Sequence, residues 1–155
     1  MADLEDGLAH LLTEVVDAES GYREGVELAR TPDMVAVFEL LRSTHAAHIR
    51  KMEDLMRARG MVVDDSTSAL AMVHKTILNI RSIFSGLDEN IVPGLIDGER
   101  RIMRSYDGVI AKADEGARQL LVGQRATLEQ RVADLARFKE TGVPPGDAVS
   151  TTGQA

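Results

Sequence analysis

Four stretches of this chain carry apolar residues every three or four positions, and the connections between them leave few ways to fold. Such spacing gathers the apolar residues on one face of an α-helix, and that face must be buried against another element. The first stretch runs from about Leu4 to Ala29, with Leu8, Leu12, Val15, Glu19, Tyr22 and Val26 in its stripe. Thr31-Pro32 ends it and opens the second, with Thr as N-cap and Pro at the first helical position. The second continues to about Arg59 and stops at Gly60, a usual C-terminal signal. The third spans about Asn90 to Ala113, with Val92, Leu95, Glu99, Ile102, Tyr106 and Val109 inward. Asp114 caps the fourth, from about Glu115 to Glu140, whose stripe is Leu121, Gln124, Leu128, Val132, Leu135 and Phe138.

Short turns make the first and second helices antiparallel neighbours, and likewise the third and fourth. The long connection from Gly60 to Asn90 lets the second and third run parallel. This predicts an all-α fold, a ferritin-like four-helix bundle with one long crossover connection. A connection of that length carries structure of its own. After "DDSTS", the residues Leu70, Val73, Ile77, Ile80 and Phe84 form the stripe of an extra amphipathic helix. Residues 1–140 make up the bundle, and the tail 141–155, "TGVPPGDAVSTTGQA", has the composition of a disordered end.

Composition removes several function classes. With 155 residues, one domain can bury a core without staples. The absence of cysteine excludes disulfides, thiolate metal sites and a cysteine nucleophile. A net charge of −7, with basic residues interleaved among acidic ones, argues against nucleic acid as a partner. No apolar run is long enough to span a membrane, and the acidic start "MADLEDG" is unlike a signal peptide, so the expected setting is cytoplasmic. No Gly-rich phosphate loop, nucleophile elbow or Ser-His-Asp pattern is present.

Polar residues inside the apolar stripes carry the functional expectation. Glu19 sits between Val15 and Tyr22, Glu99 between Leu95 and Ile102, and His45 and His48 between Leu41 and Met52. Each lies near the middle of its helix, so in a bundle they should meet at one height. A buried carboxylate needs a partner or a metal ion, and two together repel. A divalent ion removes the repulsion and takes imidazole nitrogen and carboxylate oxygen as ligands, so two Glu and two His would suit Fe, Mn or Zn. The other reading is a hydrogen-bonded layer that binds nothing, completed by Tyr22, Tyr106 and Gln124. Both stay open at this point.

Other features are read more simply. Gly21 and Gly25, and Gly94 and Gly98, repeat at four-residue spacing and point to close helix approach, as in a homodimer interface, or to tolerated glycine. Pro93 must fall in the first turn of its helix. His10 and His74 are expected on solvated faces, and Arg100, Arg101 and Arg104 of "GERRIMR" are expected to pair with nearby acids on an exposed face.

The stretches "DAESGYREGVE" and "GERRIMRSY", with the amphipathic crossover, resemble the bacterial ferritin-like proteins of the YciE/YciF kind. The resemblance covers most of residues 4–139. It implies a ferritin-like bundle, often dimeric and sometimes linked to stress responses, with no established reaction. Ferritin-like di-iron proteins bring one Glu from each of two helices and Glu-x-x-His from each of the others. Glu19 and Glu99 match the single carboxylates. His45-x-x-His48 stands where the second helix would have Glu-x-x-His, and on the fourth Glu129-x-x-Val132 has lost its histidine. A two-iron oxygen-activating enzyme is therefore not expected. The metal reading has one ion held by Glu19, His45, His48 and Glu99, with Glu129 as a fifth ligand. The alternative is a non-catalytic dimeric helical scaffold or interaction module.

Overall fold

The computed structural model describes residues 2–63 and 89–146. Its helices are α1 (Ala2–Leu28), α2 (Pro32–Ala58), α3 (Val92–Ile110) and α4 (Glu115–Thr141), with a 3-10 turn at Glu89–Ile91 leading into α3. The expected crossover stripe Leu70–Phe84, and His74 with it, lies outside the described residues, as does the tail beyond Gly146.

Local chemistry sets the helix ends where the sequence places them. Thr31 accepts a hydrogen bond from the Met34 N–H at 3.2 Å, and Pro32 follows it where a missing N–H costs nothing. Asp114 does the same for α4 through the Ala117 N–H, at 3.1 Å. At the C-terminal ends Gly60 (φ 81°) and Gly142 (φ 72°) adopt the left-handed conformation that side chains disfavour. Pro93 stands in the first turn of α3, so the helix runs unbroken.

Side-chain contacts give the direction of each helix. Tyr22 meets Glu99 and Gly7 meets Lys112, so α1 and α3 are antiparallel. His45 meets Glu99 and Met52 meets Tyr106, at constant offset, so α2 and α3 run parallel. Arg131 of α4 reaches Thr44 while Gln124 reaches His48, so α2 and α4 are antiparallel. The main packing partners are α1 with α2 and α3 with α4, then α1 with α3 and α2 with α4. Thus α2 and α3 face each other diagonally across the core. This is the one-crossover four-helix bundle, all-α among the described residues.

The core is aliphatic at both ends and polar in the middle. Leu8, Leu11, Met34, Leu41, Met52, Leu121, Leu128 and Leu135 are fully buried, with Phe38 and Tyr106 the largest side chains among them. Leu12 and Val26, expected inward, are half-buried at the edge of this core. At Gly25 α1 packs tightly on α2, since the Phe38 ring lies directly over it. The four-residue glycine spacing is therefore partly explained by packing inside one chain.

Candidate functional site

The middle of the bundle holds the buried polar residues Glu19, Ser20, Thr44, His45, His48, Glu99 and Gln124, all drawn from apolar stripes or their flanks. Glu99 is its centre. Its Oε1 accepts from the Tyr22 hydroxyl at 2.8 Å and lies 2.8 Å from His45 Nε2, and its Oε2 lies 3.2 Å from the same nitrogen. A carboxylate only accepts, so Nε2 carries the proton in this pair. Glu99 and His45 are both completely buried. The Tyr22 ring stacks on the His45 ring, with centroids 5.6 Å apart, which fixes the imidazole plane. Burial, and then the negative charge of Glu99, hold the Tyr22 hydroxyl well above its usual pKa, so it stays a donor.

A second hydrogen-bonded group adjoins the first. The Tyr106 hydroxyl donates to Gln124 Oε1 at 2.7 Å and touches the Met52 sulfur, and Gln124 Nε2 donates to the His48 carbonyl at 3.1 Å. Gln124 thus uses both ends of its amide to tie α3, α4 and the α2 backbone together. His48 sits edge-on to His45, with ring centroids 6.2 Å apart. Burial, and then the neighbouring His45, push its pKa down to about 4, so near neutral pH it is uncharged. The Nδ1 atoms of both histidines are buried with no hydrogen-bond partner.

The remaining expected ligands do not join this group. Glu19 is buried, but its carboxylate is held by Arg23, one turn along α1, with Nη2 2.7 Å from Oε2, and Arg42 Nη1 stands 3.9 Å away. Glu129 lies on the exposed face of α4, with Oε2 3.4 Å from Arg125 Nη1. Its place beside Leu128 turns it about 100° from the core stripe. His10 is exposed beside Glu14, as expected. The arginines that engage Glu19 and Glu129 were absent from the expected ligand layer. Their signal was the four-residue spacing of Glu19 to Arg23 and Arg125 to Glu129; Arg42 had no local signal.

The donor set fails a simple fit to a metal centre. Glu99 Oε1 is taken by Tyr22 and His45, the single His45 Nε2 proton is shared more weakly with Oε2, and the other two carboxylates face guanidinium groups. Among the described residues no group of three or more His, Asp and Glu side chains is arranged to hold a metal ion. Nor, among the same residues, is any helix long and apolar enough to cross a membrane.

No curated protein and no solved structure matches the chain. One family model does, described as "Domain of unknown function (DUF2383)", over residues 3–112, from α1 to the turn that follows α3. That span includes Tyr22, His45, His48 and Glu99, while Gln124 and Glu129 lie beyond it. With most of its length matched, the chain belongs to the DUF2383 family.

Proposed function

We propose that this protein is a non-catalytic helical scaffold or interaction module in which the buried polar layer is structural. One observation carries the reading: each carboxylate of the expected ligand set is already engaged within the chain. Glu99 is met by Tyr22 and His45, Glu19 by Arg23 and Arg42, and Glu129 by Arg125. Such a layer sets helix register, because a one-turn slip would strand buried polar groups. The reading keeps the resemblance to ferritin-like proteins of the YciE/YciF kind, and with it a cytoplasmic, stress-linked setting. It includes a homodimer through the glycine-bearing face of α3, where Gly98 has nothing within 4 Å of its Cβ position. Sedimentation velocity checks that part, and a strictly monomeric protein contradicts it.

The test of the structural layer is urea unfolding before and after chelator treatment, and again with ferrous iron, manganese or zinc added. The expected result is one unchanged midpoint. A ligand that binds only the folded state stabilises it, so a loss above about 1 kcal/mol on chelation overturns the reading.

A second reading, one Fe, Mn or Zn ion in the layer, is favoured by the two buried Nδ1 atoms without partners at His45 and His48. Unpartnered imidazole nitrogen is a metal donor. The carboxylate oxygen most open to such a site is Glu99 Oε2, reached at 3.2 Å by the His45 nitrogen that already bonds Oε1.

A further inference from the structure

Many arginines of the described helices, Arg57 beside Asp54 among them, are ion-paired, and others are not. Arg23, Arg42, Arg59, Arg125, Arg131 and Arg137 each stand within ion-pair distance of a carboxylate. Arg50, Arg118, Arg100, Arg101 and Arg104 do not, and the last three are exposed together on a single turn of α3 in a chain of net charge −7. The expectation that they pair with nearby acids is corrected for a specific reason. Asp107, the next acid along the helix, is taken by Arg125 of α4, with Arg125 Nη2 3.2 Å from Oδ2. Glu99, beside them in sequence, points into the core, and exposed Asp97, one turn before Arg100 and Arg101, is not within ion-pair distance of either.

We infer that the outward face of α3 at Arg100, Arg101 and Arg104 docks an acidic helical segment of a partner protein. Arg100 and Arg104 are one turn apart, as are Arg101 and Arg104, which matches carboxylates three or four residues apart on another helix. Gly108 is the next residue on the Arg100–Arg104 row, and nothing lies within 4 Å of where its Cβ would be. A partner backbone can therefore come close beside the guanidinium groups. A long polyanion such as nucleic acid fits less well. Beyond this one turn it would run over exposed Asp97, Glu115 and Glu129.

The experiment uses the full chain and a short fluorescent Glu-rich helical peptide, read by anisotropy at low ionic strength. The charge-reversal pair Arg101→Glu/Arg104→Glu is compared with Arg50→Glu/Lys51→Glu, which changes net charge equally at an exposed site on α2. Circular dichroism confirms that each variant is folded. The expected result is saturable binding that weakens at about 0.5 M salt. It should be at least about fivefold weaker in the Arg101/Arg104 variant than in the Arg50/Lys51 variant, as for several partly screened ion pairs lost together. Equal loss in the two variants overturns the proposal, as does no binding at low salt. Tighter binding of single-stranded DNA or anionic vesicles than of the peptide overturns it too.

Discussion

His45 Nε2 lies 2.8 Å from Glu99 Oε1, and neither side chain is exposed to solvent. The two residues sit on α2 and α3, parallel helices that face each other diagonally and share none of the main packing contacts. The pair is therefore a polar strut across the core, and Tyr22 of α1 braces it from the side. Apolar packing tolerates small slips between helices, whereas this contact has one register. A buried pair of this kind costs much desolvation and adds little net stability, but removing one partner is expensive.

Substitution at the strut should show that asymmetry. Glu99→Ala leaves the Tyr22 hydroxyl and a His45 ring nitrogen buried without acceptors, for an expected loss of about 3–5 kcal/mol. Glu99→Gln keeps one carbonyl oxygen as acceptor and should cost roughly half of that. Urea unfolding of both variants measures the difference, and equal losses would mean that hydrogen bonding at this position contributes nothing.

Stability should fall with mild acid through His48. Its folded pKa of about 4 lies below the unfolded value of 6.5, so the unfolded chain binds the extra proton first. The stabilisation is complete above pH 6.5 and is lost as pH falls from there through 4, up to about 3 kcal/mol. The check is the urea midpoint across this range for wild type and His48→Gln. The variant's curve should be flatter, and parallel curves would refute the assignment.

Two glycines should respond with opposite sign. At Gly25 a Cβ would stand 2.6 Å from Phe38 Cε1, so Gly25→Ala forces the α1–α2 contact apart and should cost about 1–3 kcal/mol. At Gly98 nothing lies within 4 Å, so Gly98→Ala should gain up to about 1 kcal/mol from helix propensity. Thermal unfolding of each variant decides. Phe38→Leu should restore part of the Gly25→Ala loss.

What the sequence made legible follows the range of the forces involved. Helix ends depend on neighbouring residues, so Thr31, Asp114, Gly60 and Pro93 could be read directly. Burial follows helical spacing, so Glu19, His45, His48, Glu99 and Gln124 could be placed inside. Where a side chain points within the core depends on other helices. Glu19 shares the stripe of Tyr22, yet its carboxylate turns outward to Arg23 and Arg42, whose long side chains reach it from the surface. Glu129 shows the limit of register, because one position in sequence separates a buried Leu128 from an exposed carboxylate.

The most direct measurement is elemental analysis of the untagged protein by mass spectrometry, as purified and after incubation with ferrous iron, manganese and zinc. A purely structural polar layer predicts metal far below one ion per chain under every condition, and no change in His45→Ala/His48→Ala. Near-stoichiometric metal in wild type that disappears in that double variant would contradict the account and make the two imidazoles ligands.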